Sequence, residues 1–414
     1  MSKKVILFYT DCFIFGGCEK PIFELICSDK FLHQYDYLLA YRGSSSYTNG
    51  ACSAYPTFLQ MKRRVVYFPD ISTFMQRLKK ITVNRYLYNI VEVSLKIIFR
   101  LFSPLIAIYE LFVLYLLFLG EKADIVHINN GGYPGALSCR VAAIAAKLAG
   151  KKVVIFNINN SATKRKGILD FMIDFFVRKS VSIFVTGSSA SKTALHQRRK
   201  FGIDRIINLY HGINTDTLFK NDLSLGEKKE GGYALMVARF EERKGHKNLV
   251  LAFEQLIREH PECASLKVVL IGDGPLLEEI KLFVVEKKLE KSISFLGHRT
   301  DYVGYLKSSL FLLNPSLGYE DLPYVILEAM ALGIPSIGTS VAGIPEEIEN
   351  GVSGIIVPPY DVAALAEAIR FMFLDKNKRE RMGTAANERF NKFFSVDKMV
   401  NSYLALYSQS LAKG

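Results

Sequence analysis

The sequence predicts an α/β protein built from two Rossmann-like halves, and three observations carry that prediction. Short apolar runs of strand type alternate with helical patterns along the whole chain, as in parallel βαβ units with both sheet faces covered. The 414 residues allow two or three domains, each large enough for its own core. Half of the residues are apolar, and no low-complexity or strongly Pro/Ser-rich stretch breaks the pattern.

In order, the first half offers strands at VILFYT (5–10), YDYLLA (35–40), VVYFP (65–69), DIVHIN (124–129), KVVIFN (152–157) and SIFVTG (182–187). The second half offers ALMVA (234–238), KVVLI (267–271), SISFLG (292–297), LFLLN (310–314) and SGIIVP (353–358). Between these lie helical patterns such as HKNLVLAFEQLIREH (246–260) and PLLEEIKLFVVEKKLE (275–290). The halves meet near NLYHGINTDTLF (208–219), giving a first domain over 1–210 and a second over 211–395. Open α/β sheets bind ligands beyond the carboxyl ends of their strands, so a site is expected in the cleft between the two sheets.

One segment departs from this alternation. Residues 101–119, within an apolar region of about 84–120, carry the single charge Glu110. A single membrane span would put the strands before 100 and after 124 on opposite sides of a bilayer, although they should share a sheet. Pro104 is expected to interrupt the helix, and Glu110 would be costly near the bilayer centre. A monotopic helix or helical pair dipping into one leaflet reconciles apolarity with fold; an unusually apolar buried helix is the alternative. Upstream, the RLKK run (77–80), Arg85, Lys96 and Arg100 can meet anionic headgroups.

The net charge of +13 is uneven: residues 1–210 hold 29 Lys and Arg against 13 Asp and Glu, and residues 211–414 hold 24 against 27. A basic half fits nucleic acid, an anionic membrane surface or an acidic substrate. No zinc-finger or RNP-like pattern appears, so no nucleic-acid partner is expected. The six cysteines have no CxxC or other zinc spacing and read as reduced cytosolic thiols. The N-terminus, MSKKVILFYT, turns into a strand after two lysines and lacks a signal-peptide apolar region, which argues against secretion.

The chemistry concentrates at EDLPYVILE (320–328), followed by AMALGIPSIGTSVAGIPEEIENGVSGIIVPP. Pro323 suits the first turn of a helix, whose amides and dipole favour an anion above them. Glu328 can accept hydrogen bonds from a ribose diol, and Glu320 stands in the loop before the helix. One carboxylate on the sugar side of a diphosphate and one on the nucleoside side is what a sugar-nucleotide site needs. The bare pair also fits a capped, solvated helix; the flanking Gly-Ile-Pro and Asn-Gly-Val-Ser-Gly segments favour the site. No two aspartates are spaced i, i+2 and no metal-ligand spacing appears, so cations and helix dipoles must meet the diphosphate charge and no metal or other cofactor is expected. VARFEERKGH (237–246) offers Arg239 at a strand end and Lys244 before the next helix.

On these residues the sequence resembles glycosyltransferase family 4, the retaining nucleotide-sugar transferases of the GT-B fold. Arg239 and Lys244-Gly245 match the family pattern Gly-Arg-x-x-x-x-Lys-Gly, with Ala238 in place of its first glycine. The resemblance implies catalytic roles for Arg239, Lys244 and Glu320. It implies donor contacts from Gly16 and Gly17 in FIFGGCEK (13–20), Gly274 in IGDGP, His298 and Arg299 in FLGHR, and Leu322, Tyr324 and Glu328. It also implies that the last helix, 396–414, packs back on the first domain. Where the family often has His-x-His, this chain has His127-Ile128-Asn129, and Asn159 stands where relatives often carry another histidine. His127, Asn129 and Asn159 are therefore candidate acceptor or sugar contacts, while His127 also fits a structural role. Such retaining chemistry works by positioning and leaving-group stabilisation, without an enzyme nucleophile.

Three functions are open at this point. The first is transfer from a UDP- or GDP-sugar to a lipid-linked or glycolipid acceptor in surface polysaccharide assembly, by a cytoplasmic protein peripheral on the inner face of the membrane. The second uses the same donor with a soluble acceptor, and the third is a silent sugar-nucleotide-binding scaffold.

Overall fold

Ile6, Leu7, Phe8 and Tyr9 are wholly buried, as they must be in a parallel strand covered on both faces. They belong to β1 (Lys4–Thr10), the third strand of a seven-stranded sheet in the computed structural model, which describes residues 3–68, 85–220, 232–318 and 320–413. The sheet continues with β2 (Tyr35–Arg42), β3 (Arg63–Val66), β4 (Ile125–Asn130), β5 (Val153–Ile158), β6 (Ile183–Thr186) and β7 (Ile206–Asn208), in the order β3-β2-β1-β4-β5-β6-β7. Phe8 stands opposite both Leu39 and His127 in register. The strand order reverses between β1 and β4, so the loop carrying Gly16 and Gly17 leaves at the switch point, where ligands bind in such sheets.

The second sheet contains β8 (Tyr233–Val237), β9 (Lys267–Ile271), β10 (Ile293–Phe295), β11 (Phe311–Asn314), β12 (Ser336–Thr339) and β13 (Gly354–Val357), in the order β10-β9-β8-β11-β12-β13. Its pairings are parallel, and its switch point falls between β8 and β11. The loops that leave there are those of Arg239–Lys244 and of Glu320. Two short strands, β7 and β12, have no expectation from the sequence. In Ser336-Ile337-Gly338-Thr339 only Ile337 is a large apolar residue. The stretch is a strand because β11 and β13 flank it, and Gly338 admits Ile344, which a Cβ would approach to 2.6 Å.

The chain divides into two compact units, one of Met1–Val185, Leu195–Ile207 and Ala405–Gly414, the other of Thr186–Ala194 and Asn208–Leu404. The expected boundary at 210 is thus interrupted by residues 186–194. The reason is local: the Gly187 N–H donates to Asp321 Oδ2 at 3.1 Å, and the Ser189 and Ala190 N–H groups donate to Glu346. The last helix (Val396–Lys413) divides between the units, and its end belongs to the first. There Tyr407 lies 2.6 Å from His127 Nδ1 through its hydroxyl and edges against Tyr35.

Arg85–Gly120 is one continuous helix of 36 residues, about 54 Å long at 1.5 Å per residue. Pro104 does not interrupt it, contrary to expectation. An interior proline costs about 3 kcal/mol, and here the burial of Leu114 and Phe118 in the first unit's core offsets that. Neither the leaflet nor the core reading describes the helix fully. Glu110, Leu114 and Phe118 form a buried stripe, while Phe102, Leu105, Ile108, Phe112, Leu116 and Leu119 are exposed. The strands on either side share one sheet, as the topology argument requires. The 77–80 basic run lies outside the described residues, as do the side chains of Arg85, Lys96 and Arg100.

Candidate active site

Three strand ends are stitched together before any side chain enters the second unit's site. Ala238 N–H donates to Ile271 O, Phe240 N–H to Asp273 O, and Gly272 N–H to Gly297 O, at 2.8 to 3.0 Å. Glycine is required at two of these positions: Gly272 has φ +147, and a Cβ on Gly274 would lie 2.6 Å from the Phe240 carbonyl oxygen. The VARF, IGDGP and FLGHR turns therefore form one surface. Gly245, at φ +75, lets the chain pass the Pro315 carbonyl, which a Cβ would strike at 2.0 Å. That approach brings the residue before it, Lys244, onto the loop after β11.

Glu320 is the centre of this surface. Only 6% exposed, it accepts at Oε1 from Lys244 Nζ, from Arg243 at 2.9 Å and from Ser316 at 3.3 Å. Among the described residues no hydrogen bond goes to Oε2, so that oxygen is the one open to a ligand. Lys244 and Glu320, both candidate site residues from the sequence, are thus brought together. Arg239 is different: its side chain is 63% exposed and its Nε donates to Glu241 at 2.8 Å, which Arg243 also contacts. The sequence reading missed Arg243, hidden among ordinary loop charges. His246, stacked on Phe240 at 4.1 Å, is pushed down to about 4 by burial and by Lys244, so it is neutral at pH 7.

Glu328 is buried in the helix Tyr324–Ala331 and accepts from the Tyr302 hydroxyl at 2.9 Å on both oxygens. Tyr302 follows the turn of His298 and Arg299, so the structure joins the two sequence segments assigned to the nucleoside. His298 is exposed; Arg299 is a fork onto Asp301 at 2.7 and 2.5 Å, a pairing that holds the turn. Pro323 is the N-cap residue of the helix rather than part of its first turn, and no side chain caps that end. The Leu322 side chain is buried in the core, which leaves its backbone as the part able to meet a donor, whereas Tyr324 is half-buried beside His211.

Asp321, quoted with its neighbours but given no role from sequence, organises the loops behind Glu320. It is buried, accepts from the Gly187 N–H, and is pushed up to about 6, chiefly by burial. A Cβ on Gly343 would lie 2.2 Å from the Asp321 carbonyl oxygen, which is why the Ala-Gly-Ile-Pro segment can pass there.

The first unit carries a second polar cluster. Glu19, wholly buried, accepts from Thr10 at 2.8 Å, Tyr47 at 2.7 Å and Asn129 at 2.9 Å. Asn159 donates to Asn129 Oδ1 at 2.7 Å, so these two candidate residues share one network directly behind the Gly16-Gly17 loop. No heavy atom lies within 4 Å of a Cβ built on Gly16. His127 does not join them. Its ring is enclosed by Phe8 and Tyr407, and burial lowers it to about 3; it is a structural residue, and the sugar-contact expectation for it is withdrawn. Cys12 and Cys18 lie beside Glu19 with sulfurs 3.4 Å apart, a proximity that their spacing had not suggested.

Residues 219–389 match the family described as glycosyl transferases group 1. The N-acetyl-alpha-D-glucosaminyl L-malate synthase of Bacillus anthracis is 28% identical over 297 residues, spanning 69% of this chain and 75% of its own. The UDP-Gal:alpha-D-GlcNAc-diphosphoundecaprenol alpha-1,3-galactosyltransferase of Escherichia coli is 28% identical over 317 residues, 72% of this chain and 78% of its own. In structure, a glycosyltransferase from Rickettsia africae superposes over the whole of both chains with a TM-score of 0.76 at 18% identity. The Anabaena protein HepE, solved with UDP, superposes with a TM-score of 0.73 at 17% identity, over 98% of this chain and 99% of its own. The fold is GT-B.

Proposed function

We propose that this glycosyltransferase, whose residues 219–389 match the glycosyl transferases group 1, moves a sugar, with retention, from a UDP- or GDP-sugar to a lipid-linked acceptor at the cytoplasmic face of a membrane. One observation carries the donor half of this reading: Glu320, whose Oε2 takes no hydrogen bond among the described residues, is held by Lys244 and Arg243 beside a helix whose start no side chain caps, and Glu328 is held by Tyr302 eight residues on. In this reading Glu320 Oε2 takes hydroxyls of the donor sugar and Glu328 those of the ribose. Lys244 and Arg239 meet the charge that builds on the diphosphate as the bond from the anomeric carbon to its oxygen breaks. The acceptor oxygen bonds to that carbon from the same face, and its proton passes to the departing diphosphate. Side-chain cations and helix amides do this work, so no metal is required.

The acceptor half rests on the exposed apolar stripe of the Arg85–Gly120 helix and on the basic first half. The E. coli relative is named for a diphosphoundecaprenol-linked acceptor, the B. anthracis relative for L-malate, a soluble one. The stripe favours the first; a soluble acceptor gives it no purpose. Thermal stabilisation by a panel of UDP-, GDP- and ADP-sugars tests the donor reading, and stabilisation by none of them would end it. Sedimentation with liposomes separates the two acceptor readings.

A further inference from the structure

The helix Ile168–Ser180 is amphipathic in an unusual sense. Ile168, Leu169, Phe171, Met172, Phe175 and Phe176 are exposed on it, a run at helical spacing with three phenylalanines. Both acids of the helix turn inward. Asp170 pairs with Arg140 and Arg199 at 2.6 Å, and Asp174 accepts from Arg165 at 2.9 Å and Tyr133 at 2.8 Å. The outward face therefore holds no carboxylate, yet cations stand at both ends: Lys164 and Lys166 precede it, and Lys179 lies 4.4 Å from the Phe175 ring. Over its Phe102–Gly120 stretch the Arg85–Gly120 helix does the same, burying Glu110 and exposing aliphatic and aromatic side chains. The helix Leu137–Leu148 packs against both, and its buried Ala142, Ala143, Ala145 and Ala146 allow close approach. The outer two helices thus flank it on one face of the first sheet.

Apolar side chains without acids, rimmed by lysines that can extend past them, suit the boundary between acyl chains and anionic headgroups. We propose that Ile168–Ser180 and the exposed stripe of Arg85–Gly120 form one two-helix platform that inserts into an anionic leaflet. The proposal deepens the membrane reading above and rests on it.

The chain contains no tryptophan, so a single introduced one reports its own site. Phe175→Trp, Met172→Trp, Phe112→Trp and Leu282→Trp would each be mixed with phosphatidylcholine vesicles containing phosphatidylglycerol and brominated acyl chains. Leu282 is exposed in the second unit and serves as the control. Quenching at 175, 172 and 112, but not at 282, is expected. Quenching at 112 alone leaves the membrane reading standing and overturns the platform; quenching at none of the three overturns both. A Phe171→Glu/Phe175→Glu variant with wild-type melting should bind these vesicles at least tenfold more weakly. If it instead turns a dimer into a monomer with vesicle binding unchanged, the face belongs to a second copy of the chain and the proposal fails.

Discussion

At the scale of single residues, Lys244 has two partners to choose between, Glu320 in the free enzyme and, in the proposed reaction, the leaving diphosphate. Lys244→Ala should reduce turnover by about two orders of magnitude, the scale for losing one stabiliser of transition-state charge. Steady-state rates with saturating donor measure this, and a loss below tenfold would remove Lys244 from the chemistry. The two glutamates should separate. Glu328→Ala is expected to weaken binding of the free nucleoside diphosphate. Glu320→Ala is expected to lower turnover while leaving that affinity nearly intact. Titration calorimetry with the nucleotide alone distinguishes them, and equal losses would show the roles wrongly divided. Glu110 supplies a pH dependence. Burial, with Asp11 adding and Arg42 opposing, pushes its carboxyl up to about 7. The folded state therefore holds the proton more tightly than the unfolded one. Stability from this group is full below about pH 4.5 and is lost as pH rises towards 7, on the order of 3 kcal/mol in total. Glu110→Gln should flatten that part of the curve of melting temperature against pH.

At the scale of elements, the Arg85–Gly120 helix has two faces with opposite tolerances. Leu114 is wholly buried in the core, so Leu114→Asp should destabilise the fold by roughly 3–5 kcal/mol, through a cavity and an unpaired buried charge. Phe112 and Leu116 point outward, and Phe112→Glu/Leu116→Glu should leave melting nearly unchanged while releasing the protein from anionic vesicles. Leu114 lines the core and Leu111 packs against it, so a charge at either position tests packing and not membrane contact.

At the scale of the whole molecule, residues 1–210 carry the excess of positive charge that residues 211–414 lack. Vesicle binding should therefore weaken with salt without disappearing, because screening removes the headgroup attraction and leaves apolar insertion. A wild type indifferent to anionic vesicles would end the membrane reading. EDTA should leave transfer rates largely intact, and strict dependence on Mg²⁺ or Mn²⁺ would overturn the account of side-chain cations facing the diphosphate.

Periodicity and spacing determined much of this protein by themselves. Eleven strands were legible because buried parallel strands must be apolar on both faces, and the Glu320–Glu328 segment was legible because the glycines and prolines of the Gly-Ile-Pro segments that follow it admit few conformations. Short β7 and β12 were not, since only their neighbours make them strands. The same holds for the partners. Arg243, Glu19 and Asp321 look like ordinary loop or turn charges until distant segments close on them, with Glu320, Asn129 and Gly187 respectively. His127 shows the converse: its place in a familiar pattern suggested a ligand contact, and Tyr407, 280 residues away, made it part of the core. Hydropathy alone could say that 101–119 is apolar, but which of its side chains face water depends on the sheet and the helix packed beneath it, and only the tertiary structure decides that.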